Sequence, residues 1–255
     1  MSEPEPVTPD PPPGRVGRTV FRQAWTRLAS VHWRYDPDVV APHLPPGCVP
    51  DVHDGAAWVG LLPFHMRDVA ILGTPPLPYL SSFYETNVRT YSVGPDGRRG
   101  VVFLTLEADR LLPVLAARLS YRLPYAWARM RLHDERCADG TRELTYTSRR
   151  RWPPGPADGS ARSLVRLAVG DGIDEPSPLD TFLSARWGLH STWWRGRPVW
   201  APVEHERWPL RRAAVREVDP ALVTAVGLPP PTGTPHVLFT EGVHVRIGRP
   251  EAVRP

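Results

Sequence analysis

Over most of this chain apolar and polar positions alternate, or gather into short apolar blocks, and helical spacing is sustained only in brief stretches. Ala56 to Met66 (AAWVGLLPFHM) is apolar on both faces, which predicts a central or barrel strand. Pro63 within it predicts a bulge or an edge. Val101 to Leu106 (VVFLTL) reads as a buried strand, and Gly94 to Gly100 (GPDGRRG) as the hairpin loop before it. Trp127 to His133 and Thr141 to Arg151 predict a second hairpin turning at Ala138-Asp139-Gly140. Thr19 to Trp33 reads as a lead-in followed by a strand, Leu164 to Val169 as another, and Val237 to Ile247 as the last. In that last strand Val243, Val245 and Ile247 face inward, while His244 and Arg246 face outward.

Helices are expected to be short. Asp36-Pro37 and Ser177-Pro178-Leu179-Asp180 pair a capping side chain with proline at the first helical position. The second is a capping box that starts a helix with Leu179, Phe182, Leu183 and Arg186 on one face. Asp219-Pro220 starts a third, ended by Gly227. Leu111 to Tyr121 has helical spacing, with Pro113 in its first turn and Leu123-Pro124-Tyr125 as its stop.

The stretch that organises the rest is Phe83-Tyr84-Glu85-Thr86-Asn87-Val88-Arg89-Thr90-Tyr91, whose β-branched and aromatic content predicts a strand. Phe83, Glu85, Asn87, Arg89 and Tyr91 then share one face, and Tyr84, Thr86, Val88 and Thr90 the other. A carboxylate, an amide and a guanidinium between two aromatic rings are either an internal structural network or a pocket wall, because buried charge is costly unless it is partnered. At about 3.3 Å per residue, Glu85 and Asn87 stand roughly 7 Å apart and Glu85 and Arg89 roughly 13 Å. Direct contact between Glu85 and Arg89 is therefore unfavourable. Asn87 could bridge them, or a small ligand could. In the structural alternative Glu85 pairs with Arg118 or Arg122, and Arg89 with Glu107 or Asp109.

Composition narrows the function classes. The 255 residues are 41% hydrophobic with 33 prolines, which suits a β-rich domain with many turns. Residues 1–18 are read as a disordered proline-rich leader, 19–248 as a single domain and 249–255 as a flexible tail. A formal charge of +4 does not by itself imply nucleic acid. All 31 basic residues are arginine, so no side chain can form a lysine Schiff base. Cys48 and Cys137 stand far apart in no paired motif, and the start carries no secretory pattern, so a cytoplasmic location is expected. No apolar run approaches the length that spans a bilayer.

Four local patterns invite chemistry but have plainer readings. His65 among Ala57, Val59 and Leu61 reads as a satisfied core residue. Arg149-Arg150-Arg151 reads as a solvated strand end rather than a phosphate patch. The aromatic run Trp187 to Trp200 reads as strands covering a barrel end rather than a stacking platform, and the Trp-rich C-terminal third is the candidate surface for a homo-oligomer. Glu204-His205-Glu206 has no partner at zinc spacing, so no metal and no cofactor is expected.

Taken together, several segments resemble a known family. They are Asp54 to Gly60 with Pro63-Phe64, then Phe83, Glu85 and Asn87 to Tyr91, Gly100-Val101, and Leu123-Pro124-Tyr125. Phe182-Leu183 with Arg186-Trp187, His205 with Trp208-Pro209-Leu210, and Gly242-Val243 complete the set. The chain resembles the YqjF-like family, domain of unknown function 2071, over roughly Val20 to Gly248. That family is placed in the acetoacetate decarboxylase-like superfamily. The resemblance implies an α+β, β-rich fold: a closed or partly closed antiparallel barrel with short peripheral helices and an internal pocket. Phe83-Tyr84-Glu85 resembles the aromatic-x-Glu strand motif of the decarboxylases. Their catalytic lysine follows a proline, and Tyr125 after Pro124 takes that place here. A phenol cannot form an iminium electron sink, so the imine route is closed.

The expected site is therefore Glu85 and Tyr125 as catalytic residues with Arg89 and Asn87 binding substrate. The Arg89 fork suits a carboxylate or carbonyl end. Burial would raise the pKa of Glu85 and make it an acid or base, and Tyr125 could donate to a carbonyl or enolate oxygen. The leading expectation is a small oxo-acid or carbonyl compound handled by acid–base chemistry. A non-catalytic binding protein and a structural protein with a filled barrel are the alternatives. Neither a nucleic-acid nor a membrane partner is expected.

Overall fold

Long strands carry this chain, and several of them are shared between two rings. The computed structural model describes residues 3–12, 14–76, 81–111, 123–193 and 196–253. Strand β1 (Thr19–Tyr35) is followed by the short helix α1 (Pro37–Val40), with Asp36 as N-cap and proline in its first turn, then by β2 (Val49–Pro50) and β3 (Ala57–Ile71). The hairpin β4 (Phe83–Val93) and β5 (Arg99–Ala108) turns at Asp96-Gly97, where Gly97 has φ of 81°. Next come β6 (Tyr125–Arg136), β7 (Arg142–Trp152) and β8 (Arg162–Gly172). Helix α2 (Pro178–Ser184) carries the expected capping box: Ser177 and Asp180 bond each other's backbone N–H. Strands β9 (Gly188–Thr192), β10 (Pro198–His205) and β11 (Leu210–Asp219), helix α3 (Ala221–Thr224), β12 (His236–Gly248) and β13 (Glu251–Ala252) complete the chain.

Strands β1, β3, β4, β5, β6, β7, β8, β11 and β12 pair in that order, and β12 pairs back on β1, which closes a nine-strand barrel. Pairing is antiparallel except where β5 meets β6 and β9, both parallel. A second, smaller ring uses the same wall: β9 and β10 bridge from β5 to β12 across the opposite face of β1, β3, β4 and β5. The shared wall therefore has an interior on each side. On the nine-strand side Val31, Val59, Val88, Leu144, Leu167 and Phe239 fill the space. On the β9–β10 side the core contains Leu62, Phe64, Met66, Phe83, Leu189 and Val203.

The two-faced wall explains why Ala56 to Met66 is apolar throughout: both faces are interior. The irregularity expected at Pro63 occurs on its β1 side. Between Thr26↔His65 and Val31↔Leu61 five residues of β1 span four of β3, and Arg27 adopts φ of 48° at the bulge. On the other side Pro63 stays in register opposite Thr86.

Described residues near both ends of the chain contact the body of the fold. The N–H of Glu5 donates to the carbonyl of Gly97, Trp187 Nε1 donates to the carbonyl of Thr8, and Val7 packs against the core on the β9–β10 side. At the other end Glu251 and Ala252 pair with Trp200 and Val199, and Val253 is buried. The expected helix over Leu111 to Tyr121 lies outside the described residues beyond Leu111, as do Trp194 and Arg195 of the aromatic run. The remainder of that run forms β9 and β10, the cover over the second ring. Among the described residues no helix is long and apolar enough to cross a membrane.

Candidate functional site

A cavity of about 470 Å³ occupies the second ring, between the shared wall and the β9–β10 cover. The odd-numbered face of β4 points into it, as the alternation of the strand requires: Phe83, Glu85, Asn87 and Arg89 all line it. Because β6 starts at Tyr125 and runs parallel to the end of β5, with Tyr125 beside Leu106, the tyrosine enters the same space. The four site residues expected from the sequence are thus brought together.

Glu85 is 2% exposed, and the Tyr125 hydroxyl donates to its Oε2 at 2.9 Å. Burial pushes the Glu85 carboxyl up to about 8, against the opposing pull of its hydrogen bonds to Tyr125 and Asn87. Burial, with Glu85 beside it, also holds the Tyr125 phenol well above its ordinary range. At neutral pH both groups therefore carry their protons. The carboxylic acid is a donor as well as an acceptor.

Arg89 lies four residues deeper along β4 and is 3% exposed. Its Nη2 donates to the Leu183 carbonyl at 2.9 Å and to the Tyr91 hydroxyl at 3.2 Å. Among the described residues, the ion pairs of the structural alternative are absent for this arginine. Glu107 takes Arg150 across the nine-strand interior and Asp109 takes Arg110. Arg118 and Arg122, the other partners considered for Glu85, lie outside the described residues.

Arg186, Trp208 and Trp25 also line the cavity, and none was singled out as a site residue from the sequence. Arg186 follows α2, donates through Nε to the Phe182 carbonyl at 2.6 Å and pairs through Nη1 with buried Asp51, which Arg99 shares. Its cation sits over the rings of Phe182 and Tyr91, 4.1 and 4.5 Å from their centroids. Trp208 meets Trp25 edge-on, with ring centroids 6.3 Å apart, and the Arg89 guanidinium lies 5.6 Å from the Trp208 ring. The available signal was Arg186-Trp187 and Trp208-Pro209 among the family-like segments. It was visible as pattern but carried no stated role.

His205 faces the cavity between Trp187 and Trp208, and burial holds its imidazole down to about 4. Glu204 pairs outward with Arg246, and Glu206 with His244. The Glu-His-Glu run thus splits between two faces, and no cluster of three or more metal-ligating side chains occurs among the described residues. His65 is half-buried and hydrogen-bonded to Ser82 at 2.9 Å, on the face away from this site. Of the arginine triplet, Arg150 turns inward to Glu107 while Arg149 is exposed at the strand end.

The family model described as DUF2071, uncharacterized conserved protein, matches residues 22–244. A Bacillus subtilis (strain 168) relative described as uncharacterized protein YqjF is 28% identical over 219 residues, covering 86% of each chain. Among solved structures, the enduracididine biosynthesis enzyme MppR complexed with pyruvate superposes with a TM-score of 0.64 at 15% identity, covering 96% of this chain and 91% of that one. An acetoacetate decarboxylase-like enzyme from Sphingomonas wittichii RW1 gives a TM-score of 0.60 at 14% identity, covering 94% and 95%. At these identities the likeness establishes the acetoacetate decarboxylase-like fold and nothing about chemistry.

Proposed function

The chain belongs to the DUF2071 family of uncharacterized conserved proteins, and we propose that its cavity takes a small oxo-acid or related carbonyl compound and performs acid–base chemistry on it without a Schiff base. The observation that carries this reading is the Glu85–Tyr125 pair: a buried carboxyl with its pKa at about 8, hydrogen-bonded to a phenol, on the wall of a cavity. An acid with that pKa is protonated at neutral pH and close enough to the ambient pH to give and retake a proton.

In this reading Arg89 receives the anionic end of the ligand and Asn87 a polar group between the two ends. Glu85 delivers a proton to a carbonyl oxygen or an enolic carbon and recovers one in the next step. Tyr125 donates to Glu85 and steadies the carboxylate that forms when Glu85 has given its proton away. Enolisation, double-bond migration and dehydration next to a carbonyl all fit this equipment. Decarboxylation through an iminium does not, because the chain has no lysine. The pyruvate complexed with MppR supports an oxo-acid as the first ligand to try.

A thermal-shift and calorimetric screen of small oxo-acids and carboxylic acids against wild type, Arg89→Ala and Glu85→Gln tests the proposal. It expects binding that Arg89→Ala weakens at least tenfold. It also expects solvent-deuterium incorporation next to the carbonyl that Glu85→Gln abolishes while binding survives. Binding with no exchange under any condition leaves the non-catalytic binding protein as the better reading. No binding of any carbonyl acid sinks both.

A further inference from the structure

Buried donors with nothing to donate to are concentrated on the cavity wall. Among the described residues, Arg89 Nε, Arg186 Nη2, Trp208 Nε1 and Trp25 Nε1 have no hydrogen-bond partner, and all four side chains line the cavity. Arg89, Arg186 and Trp208 are 3%, 5% and 7% exposed, so water does not satisfy them from outside. One acceptor in the same wall, Asn87 Oδ1, is also unpartnered.

The charges at this end do not balance either. Arg186 and Arg99 share the single carboxylate of Asp51, and Arg89 has only a carbonyl and a hydroxyl. The Arg89 and Arg186 guanidinium carbons lie 5.5 and 4.5 Å from one ring, that of Tyr91, so the two cations are no more than about 10 Å apart. Glu85 does not offset them, since burial keeps it protonated at neutral pH. A buried excess of positive charge is expensive, and it is relieved by an anion entering the cavity.

The opposite end has another chemistry. Along β4 the wall runs from Arg89 through Asn87 and Glu85 to Phe83, roughly 20 Å at strand rise. Beyond Phe83 it continues through Met66 and Val69 to Ile71 and Leu72. Ile71 and Leu72 are 43% and 60% exposed, so among the described residues the cavity reaches the surface beside them. A cavity of about 470 Å³ has room for about 15 water-sized groups at ~30 Å³ each. A three-carbon oxo-acid would leave most of it empty.

We infer that the ligand is a monocarboxylate carried on an apolar tail of about six to ten carbons. Its head is clamped by Arg89, Arg186 and Trp208, and its tail lies along the wall in the direction of Phe83. The inference rests on the pocket proposed above for its location, but needs neither a carbonyl nor a proton-transfer step.

Titration calorimetry with butanoate, hexanoate, octanoate, 1-octanol, pyruvate and 2-oxooctanoate separates the two ideas. Affinity should rise up to about fourfold per added methylene from butanoate to octanoate. Octanoate should bind at least tenfold more tightly than pyruvate and than 1-octanol. Arg89→Met should weaken octanoate binding at least tenfold. Trp208→Phe, which keeps an aromatic ring and removes the Nε1 donor, should weaken it about tenfold or more and decides the matter if Arg89→Met does not fold. Equal affinity across the chain-length series overturns the inference, as does 1-octanol binding as well as octanoate, or Trp208→Phe binding octanoate like wild type. The acid–base proposal fails independently: 2-oxooctanoate would then bind like octanoate and exchange no protons.

Discussion

Replacing Glu85 by glutamine should make the protein more stable at alkaline pH and leave it nearly unchanged in acid. Below pH 4.5, the ordinary glutamate value, the carboxyl is protonated in both the folded and the unfolded chain and contributes no pH dependence. Between that value and about 8 the unfolded chain releases the proton while the folded chain retains it, so the stability of the wild type falls as pH rises. Above about 8 both states are ionised and the loss levels off. The shift from 4.5 to about 8 corresponds, at ~1.4 kcal/mol per unit, to a ceiling of about 5 kcal/mol over the whole window. About 3 kcal/mol of it has accrued at pH 7.

Glutamine has no proton to lose and keeps an oxygen to accept from Tyr125. The assay is urea unfolding of both proteins at pH 4.5, 6, 7, 8 and 9. The difference between the two curves isolates position 85, because His32, His190 and His205, all buried with lowered pKa, contribute equally to both. The stability difference should grow in favour of Glu85→Gln by about 1.4 kcal/mol per pH unit up to about pH 8, then become flat. Parallel curves would mean that Glu85 is ionised in the folded protein. The acid–base proposal would then lose its acid.

Tyr125→Phe should cost about 1–2 kcal/mol in the same unfolding assay, since it leaves one carboxyl oxygen without its donor, and should move the break in the pH profile upward because that hydrogen bond lowers the Glu85 pKa. Asp51→Asn removes the carboxylate shared by Arg186 and Arg99 and should cost about 3–5 kcal/mol, read as a lower denaturation midpoint. Gly188→Ala would put a Cβ 2.3 Å from the Trp200 ring. It should destabilise by about 1–3 kcal/mol, with a change in near-ultraviolet circular dichroism that a silent surface site would not give.

The strands of this fold were legible because their patterns are local. Alternation on β4 placed Glu85, Asn87 and Arg89 on one face, and that face lines the cavity. The double-sided apolarity of β3 signalled two interiors without saying that two separate rings make them. Proline at 63 signalled a bulge, but the compensating distortion falls on Arg27 of the neighbouring strand, which no pattern around residue 27 announces. Arg186 and Trp208 escaped for a related reason. Each reaches the cavity from a separate connection, after α2 and after β10, and what makes them notable is an unsatisfied donor. That property belongs to three-dimensional surroundings, so spacing along the chain cannot reveal it.

The short helix α2 explains how two arginines can be held together inside an apolar ring without a carboxylate for each. A helix of seven residues ends with carbonyls that have no intrahelical partner. Here those of Phe182 and Leu183 point into the deep end of the second ring and accept from Arg186 Nε, Arg89 Nη2 and the Tyr91 hydroxyl. The negative end of the helix and the faces of Tyr91 and Phe182 stabilise the guanidiniums without neutralising them. The capping box that starts α2 at Ser177 therefore matters to the site about two helical turns away. It sets where the helix ends, and the helix end sets where Arg186 and Arg89 find their carbonyl acceptors.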